Sequence, residues 1–392
     1  WDKALRLLIQ KLKIFSPNEI AGVVGDLADL EMIYSFKLFL QKCIGSSNFE
    51  CRQEKIYINP YERMNYIFNS TINGIEETDF ILLIGTNPRL EATILNARIR
   101  KSYVKNKFEI YSIGDPGDLT YPYKIIGSNT ALISEILSDN HNISEKIKKS
   151  KKPLIIIGES VLSGNAGEYI FESLKNFLSK NNFITKDWNA LNVLNQHASR
   201  VGALDLDFHS ITENDNFSFF KKLDNEDFKL IYLLGADNLN FEKKDKFIIY
   251  QGSHGDKGAA IADIILPGSA YTEKNGSFVN LEGRLQQAYK ASYPPGDAKE
   301  DWIIFKDISN RMKKSLGFNN LKELRDLINK KIHSKVNNNT YKLDKVDFIN
   351  ENILIKPIDY YYTNVISRSS KVMGECRNIS KKYLFNGIEK AS

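Results

Sequence analysis

Residues 247–305 decide the fold, and they read FIIYQGSHGDKGAAIADIILPGSAYTEKNGSFVNLEGRLQQAYKASYPPGDAKEDWIIF. A short apolar run, 247–250, precedes a loop with glycines at 252, 255 and 258, which allow positive φ and close backbone approach. A second apolar run, 262–266, ends at Pro267-Gly268, which is a strong turn signal. The first part of the stretch therefore predicts a strand-end glycine loop in an α/β layer.

The second part of the stretch predicts a hairpin followed by a helix. Residues 277–280 and 285–289 have the composition of two short strands joined at Glu282-Gly283. Asp297 is the predicted N-cap of the helix that follows, with Glu300 as the capping-box partner.

Apolar runs closed by glycine recur along the chain, with helical patterns between them. They are 80–84 before Gly85, 108–113 before Gly114, 154–157 before Gly158, and 230–234 before Gly235. Strands that are apolar on both faces and alternate with helices imply a parallel sheet. We predict an α/β fold with two doubly wound, Rossmann-like halves and a C-terminal extension.

The predicted division of the chain follows from this pattern. It comprises an N-terminal helix at 1–15, a first α/β half at 16–145, a second half with the hairpin at 150–310, and an extension at 311–392. The charged run 146–152 is the predicted connector between the halves, and Asn337-Asn338-Asn339 is a predicted loop within the extension.

Composition excludes several classes of protein. The net charge of +6 is mild for 392 residues, and the lysines are scattered rather than gathered into a nucleic-acid-binding arm. No apolar run reaches the roughly 18 residues that a membrane-spanning helix needs. Cys43, Cys51 and Cys376 are too few for a disulfide framework or for the four thiolates of an iron–sulphur cluster.

The pattern of 247–305 also resembles a known family. The residues that carry the resemblance are 254–259 (HGDKGA), 262–268 (ADIILPG), 270–274 (AYTEK), 279–280 (VN), 282–284 (EGR) and 294–302 (PPGDAKEDW), with further pieces at 85–101 and 357–376. Together they resemble the molybdopterin-oxidoreductase-like C-terminal domain of the large iron–sulphur subunit of respiratory complex I. The resemblance extends over nearly the whole chain.

The resemblance implies a role, which we state as an expectation. The chain would be a non-catalytic structural domain of the peripheral arm of NADH:ubiquinone oxidoreductase, the proton-pumping enzyme of respiratory electron transport. The iron–sulphur clusters of that family lie in an N-terminal, cysteine-rich portion, which would be missing here or encoded separately, so the subunit would be split or truncated. Its partners would be that portion and other peripheral-arm subunits, without nucleic acid and with the membrane reached only through the complex. The expected location is the matrix side of the mitochondrial inner membrane, or alternatively the cytoplasmic face of a bacterial plasma membrane.

The alternative from the same fold is a fragment of an active molybdopterin oxidoreductase. Ligands of doubly wound sheets bind beyond the carboxyl ends of the strands, and the candidate residues there are Gly85, Thr86, Asn87, Gly114, Gly158, Gly235, Gly252 and His254. Residues 85–88 are similar to the loop that the pterin enzymes place near their cofactor. We nevertheless expect a vestigial crevice with no catalytic, cofactor-binding or metal-binding residue, because tight turns explain the glycines and acids at 115, 118, 159 and 237 would repel an anionic cofactor. A free-standing scaffold unrelated to respiration is the other alternative.

Overall fold

The structure is a computed structural model that describes residues 1–336 and 346–386. The predicted loop Asn337-Asn338-Asn339 lies outside the described residues. In the described part the strands are β1 (Ile20–Val24), β2 (Phe49–Glu50), β3 (Phe80–Ile84), β4 (Glu109–Ile113), β5 (Lys124–Gly127), β6 (Pro153–Gly158), β7 (Leu191–Leu194), β8 (Leu230–Leu234), β9 (Phe247–Gly252), β10 (Ile264–Pro267), β11 (Gly276–Val279) and β12 (Leu285–Ala288).

The α-helices of the same residues lie before, between and after the strands. They are α1 (Asp2–Leu12), α2 (Leu30–Leu38), α3 (Pro88–Glu91), α4 (Thr93–Asn106), α5 (Thr130–Leu137), α6 (Asn142–Lys149), α7 (Glu159–Leu162), α8 (Gly167–Lys180), α9 (Arg200–Asp205), α10 (Ser218–Asp224), α11 (Lys257–Ala260), α12 (Asp301–Arg311), α13 (Leu321–Val336), α14 (Val365–Ser369) and α15 (Lys371–Asn386). A π-helical turn, Phe39–Ile44, continues α2.

Two parallel five-stranded sheets form the frame of the described chain, which confirms the predicted fold class. Sheet I has the order β10-β9-β8-β1-β2, and sheet II has the order β5-β4-β3-β6-β7. Every residue of β1, β3 and β8 is buried, as their unbroken apolar sequences require. β11 and β12 form a separate antiparallel hairpin, with Gly276 opposite Ala288.

The sheets do not follow one another along the chain. Strands before residue 51 and between 230 and 267 make sheet I, and the strands between 80 and 194 make sheet II. The predicted boundary at 145–150, between halves at 16–145 and 150–310, therefore differs from the sheet boundaries, because β6 pairs with β3 and β8 pairs with β1. The run 146–152 is not a plain connector, since its first half completes α6, where Ile143 and Ile147 are buried.

Two local predictions also need correction. Asp297 does not cap the helix after the hairpin, because α12 begins at Asp301 with Glu300 at the N-cap. The apolar run 262–266 is only partly a strand, because β10 begins at Ile264, and Asp263 before it accepts a hydrogen bond from the Ile248 amide at 2.8 Å. In contrast, Asn87 caps α3 as its sequence suggests, by accepting the Leu90 amide, with Pro88 in the first turn.

The largest of three buried apolar clusters among the described residues extends from α1 through both sheets. It includes residues of α2, α8 and α12, whose apolar sides face the strands, and aromatic rings of Phe36, Tyr232 and Phe305 that pack within 6 Å of one another. Because this core is shared, the carboxyl ends of the two sheets are held in a fixed relation, and they border one region.

Candidate cofactor crevice

Each sheet reverses its winding direction at one pair of strands. In sheet II the pair is β3 and β6, and in sheet I it is β1 and β8. Doubly wound proteins bind ligands beyond the carboxyl ends of such pairs. We therefore define the crevice as the region bordered by residues 25–26, 85–87, 114, 158–159, 235–237 and 252–256, which follow or end these strands and their neighbours.

The structure divides the predicted crevice residues into two groups. Gly85, Thr86, Asn87, Gly114 and Gly158 lie at the end of sheet II. The other three, Gly235, Gly252 and His254, lie at the end of sheet I. The glycine that follows β1 was not among the predicted residues, although its position after an apolar run, 20–24, was the same signal.

Close backbone packing explains a glycine at each reversal point. A Cβ on Gly158 would lie 2.4 Å from the carbonyl oxygen of Gly85, and a Cβ on Gly25 would lie 1.8 Å from that of Gly235. Neither space admits a side chain. These two glycines therefore serve the packing of neighbouring loops, which needs no cofactor.

The loop after β3 satisfies its own polar groups. The Thr86 hydroxyl donates to Glu91 Oε2 at 2.9 Å, and the Asn87 amide donates to Glu91 Oε1 at 2.6 Å. The Asn87 side-chain amide donates to the carbonyl of Pro116 at 2.6 Å. Burial raises the pKa of Glu91. Thr86 and Asn87 thus act within the fold, and their donors do not point to an open site.

His197, for which the sequence indicated no partner, lies between the two pairs of strands at which the sheets reverse direction. His197 Nδ1 lies 3.4 Å from Asp26 Oδ1, and His197 Nε2 lies 3.8 Å from Glu159 Oε2. Asp26 follows β1 and Glu159 follows β6, so the ring spans the ends of both sheets. No sequence signal places His197 here, because its neighbours come from distant parts of the chain.

Arg200 brings a buried positive charge to the same place. Its side chain is 1% exposed, and its Nη1 lies 3.8 Å from Glu159 Oε1, too far for a direct hydrogen bond. Its Nε and Nη1 atoms donate to no described residue. Glu159, Asp26 and Glu50 interact favourably with its charge, so this guanidinium already has buried carboxylates as counter-charges.

Of the four acidic residues expected in the crevice, two border it. Glu159 and Asp237 are buried at its border, whereas Asp115 and Asp118 are exposed on the loop after β4. Asp118 pairs with Arg89 at the surface. The predicted repulsion of an anionic cofactor therefore applies to Glu159 and Asp237, joined by Asp26, and not to the two exposed acids.

His254 lies at the rim of the crevice. Its Nδ1 is 3.0 Å from the Ser253 hydroxyl, and its carbonyl accepts a hydrogen bond from the Tyr250 hydroxyl. It borders a cavity of about 40 Å³ together with Tyr250, Ser269 and Ile366. A second cavity, of about 10 Å³, lies beside Glu159 and Tyr66. Such volumes hold one to a few water molecules.

The chain's own C-terminal segment, residues 349–369, contacts both sides of the crevice. Ile353 lies within 3.5 Å of the positions that a Cβ would take on Gly85 and Gly114. Arg368 extends between Asp237 and Asp256, and its Nε lies 2.6 Å from Asp256 Oδ2. These contacts cover the carboxyl ends of sheet II and sheet I, respectively.

Metal-binding groups are scattered across the described residues. Nowhere in 1–336 and 346–386 do three His, Cys, Asp or Glu side chains come together in a way that could hold a metal ion. Burial raises the pKa of Cys43 to about 11 and that of Cys51 to about 12, which makes both poor thiolate ligands. None of the described helices is both long and apolar enough to cross a membrane.

Comparison with known sequences identifies the family. The sequence model described as "Molybdopterin oxidoreductase" matches residues 1–311. The chain belongs to the molybdopterin oxidoreductase family. A second model, which describes the C-terminal part of one subunit of NADH-ubiquinone oxidoreductase, matches residues 329–376.

Several relatives of this family member are similar along its whole length. The chain is 40% identical to the "NADH-ubiquinone oxidoreductase 75 kDa subunit" of Reclinomonas americana, over 97% of the chain and 58% of the relative. It is 38% identical to a subunit of the NADH-quinone oxidoreductase of Rickettsia bellii, over 100% of the chain and 57% of the relative. It is also 38% identical to the mitochondrial 78 kDa subunit of the NADH-ubiquinone oxidoreductase of Candida albicans, over 96% of the chain and 54% of the relative. The chain thus spans less than three fifths of these curated relatives.

A solved structure shares the fold. A chain from the formyltransferase/hydrolase complex of Methylorubrum extorquens superposes with a TM-score of 0.59 at 14% identity, covering 80% of this chain and 96% of that one.

The family name implies a pterin cofactor, and the residues of the crevice do not fit one. A large anionic group needs backbone N–H groups and free cations. Here Asp26, Glu159 and Asp237 border the space, Arg368 is already paired with two carboxylates, and Ile353 fills the end of sheet II. We therefore assign no chemical step to such a group in this chain.

Proposed function

We propose that this chain is a non-catalytic structural domain of the large iron–sulphur subunit of complex I. The observation that carries the proposal is the crevice, which the chain's own Ile353 and Arg368 occupy where the family places a cofactor. The names of the relatives, all subunits of NADH-quinone or NADH-ubiquinone oxidoreductase, support the assignment to that enzyme. The chain would support electron transfer from NADH to ubiquinone without performing a step of it.

The electron carriers would lie outside this chain. Cys43 and Cys51 are buried with raised pKa values, so they are unsuited to ligating a cluster. We propose that the iron–sulphur clusters belong to an N-terminal portion of the same subunit or to a separate polypeptide. That portion and other subunits of the peripheral arm would be the partners of this domain.

The proposed location follows from the same assignment. The domain would lie on the matrix side of the mitochondrial inner membrane, attached through the complex. The bacterial relatives support the corresponding alternative, the cytoplasmic face of a plasma membrane.

The test is an elemental and pterin analysis of the complex that contains the full chain. We expect the complex to co-migrate with NADH dehydrogenase activity on a native gel, with molybdenum, tungsten and extractable pterin far below one per chain. Molybdenum or tungsten with pterin at near-equal amounts to the chain would establish the active oxidoreductase instead. Migration apart from NADH dehydrogenase activity would favour a free-standing scaffold.

The cluster assignment needs its own measurement. The chain purified alone should contain no stoichiometric iron or labile sulphide and show no cluster absorption band. Stoichiometric amounts of both would contradict the proposal that the clusters lie elsewhere.

A further inference from the structure

The C-terminal segment follows a defined course over the end of sheet II. The Thr130 amide donates to the carbonyl of Glu351 at 3.0 Å, the Ile353 amide donates to the carbonyl of Ser128 at 2.7 Å, and the Lys356 amide donates to Ser160 Oγ at 3.0 Å. The partners of the segment in these bonds are Ser128 in the turn after β5, Thr130 at the start of α5, and Ser160 in α7, the short helix after β6. They fix the segment as an added, hydrogen-bonded layer rather than a loose tail.

Two side chains anchor this part of the segment. Ile353 is 5% exposed and lies against Gly85 and Gly114, whereas the adjacent Leu354 is 75% exposed. Glu351 Oε2 accepts the Ala166 amide at 2.8 Å, at the start of the 14-residue helix α8. A carboxylate at that position also interacts favourably with the helix dipole.

The same segment then reaches sheet I. Asn364 caps α14 and directs Val365 inward, where it is buried. From α14, Arg368 donates to Asp256 of the glycine loop and to Asp237 of the loop after β8. Charge-assisted hydrogen bonds to two carboxylates from different loops are stronger than neutral ones and fix their mutual position.

We propose that residues 349–369 are a plug, a peptide ligand in cis that occupies the cofactor crevice of the fold. Ile353 would anchor it at sheet II and Arg368 at sheet I. The plug would replace the bound group that holds these loops in related folds, because it supplies partners for their backbone and for Asp237. This inference concerns the crevice only, and it would stand even if the chain served a complex other than the proposed one.

The experiment measures hydrogen exchange by mass spectrometry on the full chain purified with its native partners. In the wild type we expect slow exchange at the amides of Ile353 and Lys356. We expect Arg368→Gln to speed exchange about tenfold or more in residues 362–369, 235–238 and 252–258, since it removes charged hydrogen bonds. Arg311→Gln breaks an exposed pair with Asp2 and is the matched control.

A second pair of variants tests the other anchor. Ile353→Ala should speed exchange in residues 349–356 and around Gly85 and Gly114, whereas Leu354→Ala, one residue away and exposed, should leave both regions unchanged. Unprotected exchange of 349–369 in the wild type would overturn the proposal. So would equal effects of the anchor variants and their controls, or a rise spread evenly over the whole chain, which would indicate general stabilisation rather than a plug.

Discussion

The Lys274 ammonium donates to Asp301 Oδ2 at 2.7 Å, and both side chains are buried. The hairpin β11–β12 lies between the two residues in sequence. The contact therefore joins a residue just before the hairpin to the first residue of α12 within the core. Lys274 also lies 2.8 Å from Asp29 Oδ2, at the N-terminus of α2. One cation thus joins the hairpin base to two helices.

Removing this cation should be costly. Lys274→Met leaves Asp29 and Asp301 buried without their counter-charge, and breaking a buried pair in this way costs about 3–5 kcal/mol. The measurement is the free energy of unfolding of the full chain in denaturant. Lys290→Met removes an exposed lysine just after β12 and should lower the free energy of unfolding by less than about 0.5 kcal/mol. Equal costs would show that the buried network is not a source of stability.

Asp29 should make stability fall with rising pH. Burial raises its pKa from 3.8 to about 6, opposed by Lys274 and assisted by Glu31 and Asp301. The folded state therefore binds a proton that the unfolded state has lost. This contribution is fully present below pH 4 and disappears as pH rises through about 6.

The variant that tests this is Asp29→Asn, which keeps an acceptor for the Met32 amide at the N-cap of α2. Between pH 4 and 6 the unfolding free energy of the wild type should decline relative to the variant by on the order of 1–3 kcal/mol. Parallel pH profiles would contradict the assignment of the proton to Asp29.

The strand-end glycines should differ in their tolerance of substitution. Gly85 has φ of +55°, and a Cβ there would lie 2.0 Å from Val161 Cγ2. Gly252 lacks the positive φ that its glycine allows, and the atoms nearest to a Cβ there would be Cε1 and the hydroxyl oxygen of Tyr250, both at 3.0 Å. Gly85→Val should therefore reduce assembled complex severely, and Gly252→Val less so. Assembly at normal levels with lost turnover would contradict a structural role for either.

The sequence predicted the buried strands well because each is an unbroken apolar run closed by glycine. It did not predict their pairing, since β1 and β8 are separated by more than 200 residues and nothing local records the contact. β2 has two residues and β5 is a partly exposed edge strand, so neither carries an apolar run. In β7 the polar Asn192 interrupts the pattern, although it is buried and hydrogen-bonded to Ser70.

The crevice was predictable in position but not in content. Gly85, Gly158 and Gly235 lie at the expected strand ends. The approach of His197 to Asp26 and Glu159, and of Arg368 to Asp237, depends on loops and a C-terminal segment that converge only in three dimensions. The prediction that Asp115 and Asp118 face the crevice was wrong, because the spacing of residues in a loop does not determine the direction of their side chains.

The turn of the hairpin is held by Arg63 and by the Ile72 amide. Arg63 donates from Nε to Asp205 Oδ1 at 2.9 Å and from Nη2 to Asp205 Oδ2 at 2.7 Å and the carbonyl of Gly283 at 2.6 Å. Glu282 accepts the Ile72 amide at 2.9 Å. Arg63 therefore binds Asp205 of α9 with two parallel hydrogen bonds and the turn with one, so its planar fork connects the turn to α9 and to the segment before sheet II.

Arg63→Lys keeps the charge but cannot reproduce the fork. We expect it to lower the unfolding free energy by about 2 kcal/mol or more, because Asp205 is fully buried and would lose a charged hydrogen bond. Arg284→Lys makes the same replacement at an exposed neighbour in the turn and should change stability by less than about 0.5 kcal/mol. If the two variants unfold alike, the positive charge of Arg63, rather than its bidentate contact with Asp205, accounts for its contribution to stability. A loss confined to Arg63→Lys, with faster hydrogen exchange in 276–288, would establish the fork as the hairpin's anchor.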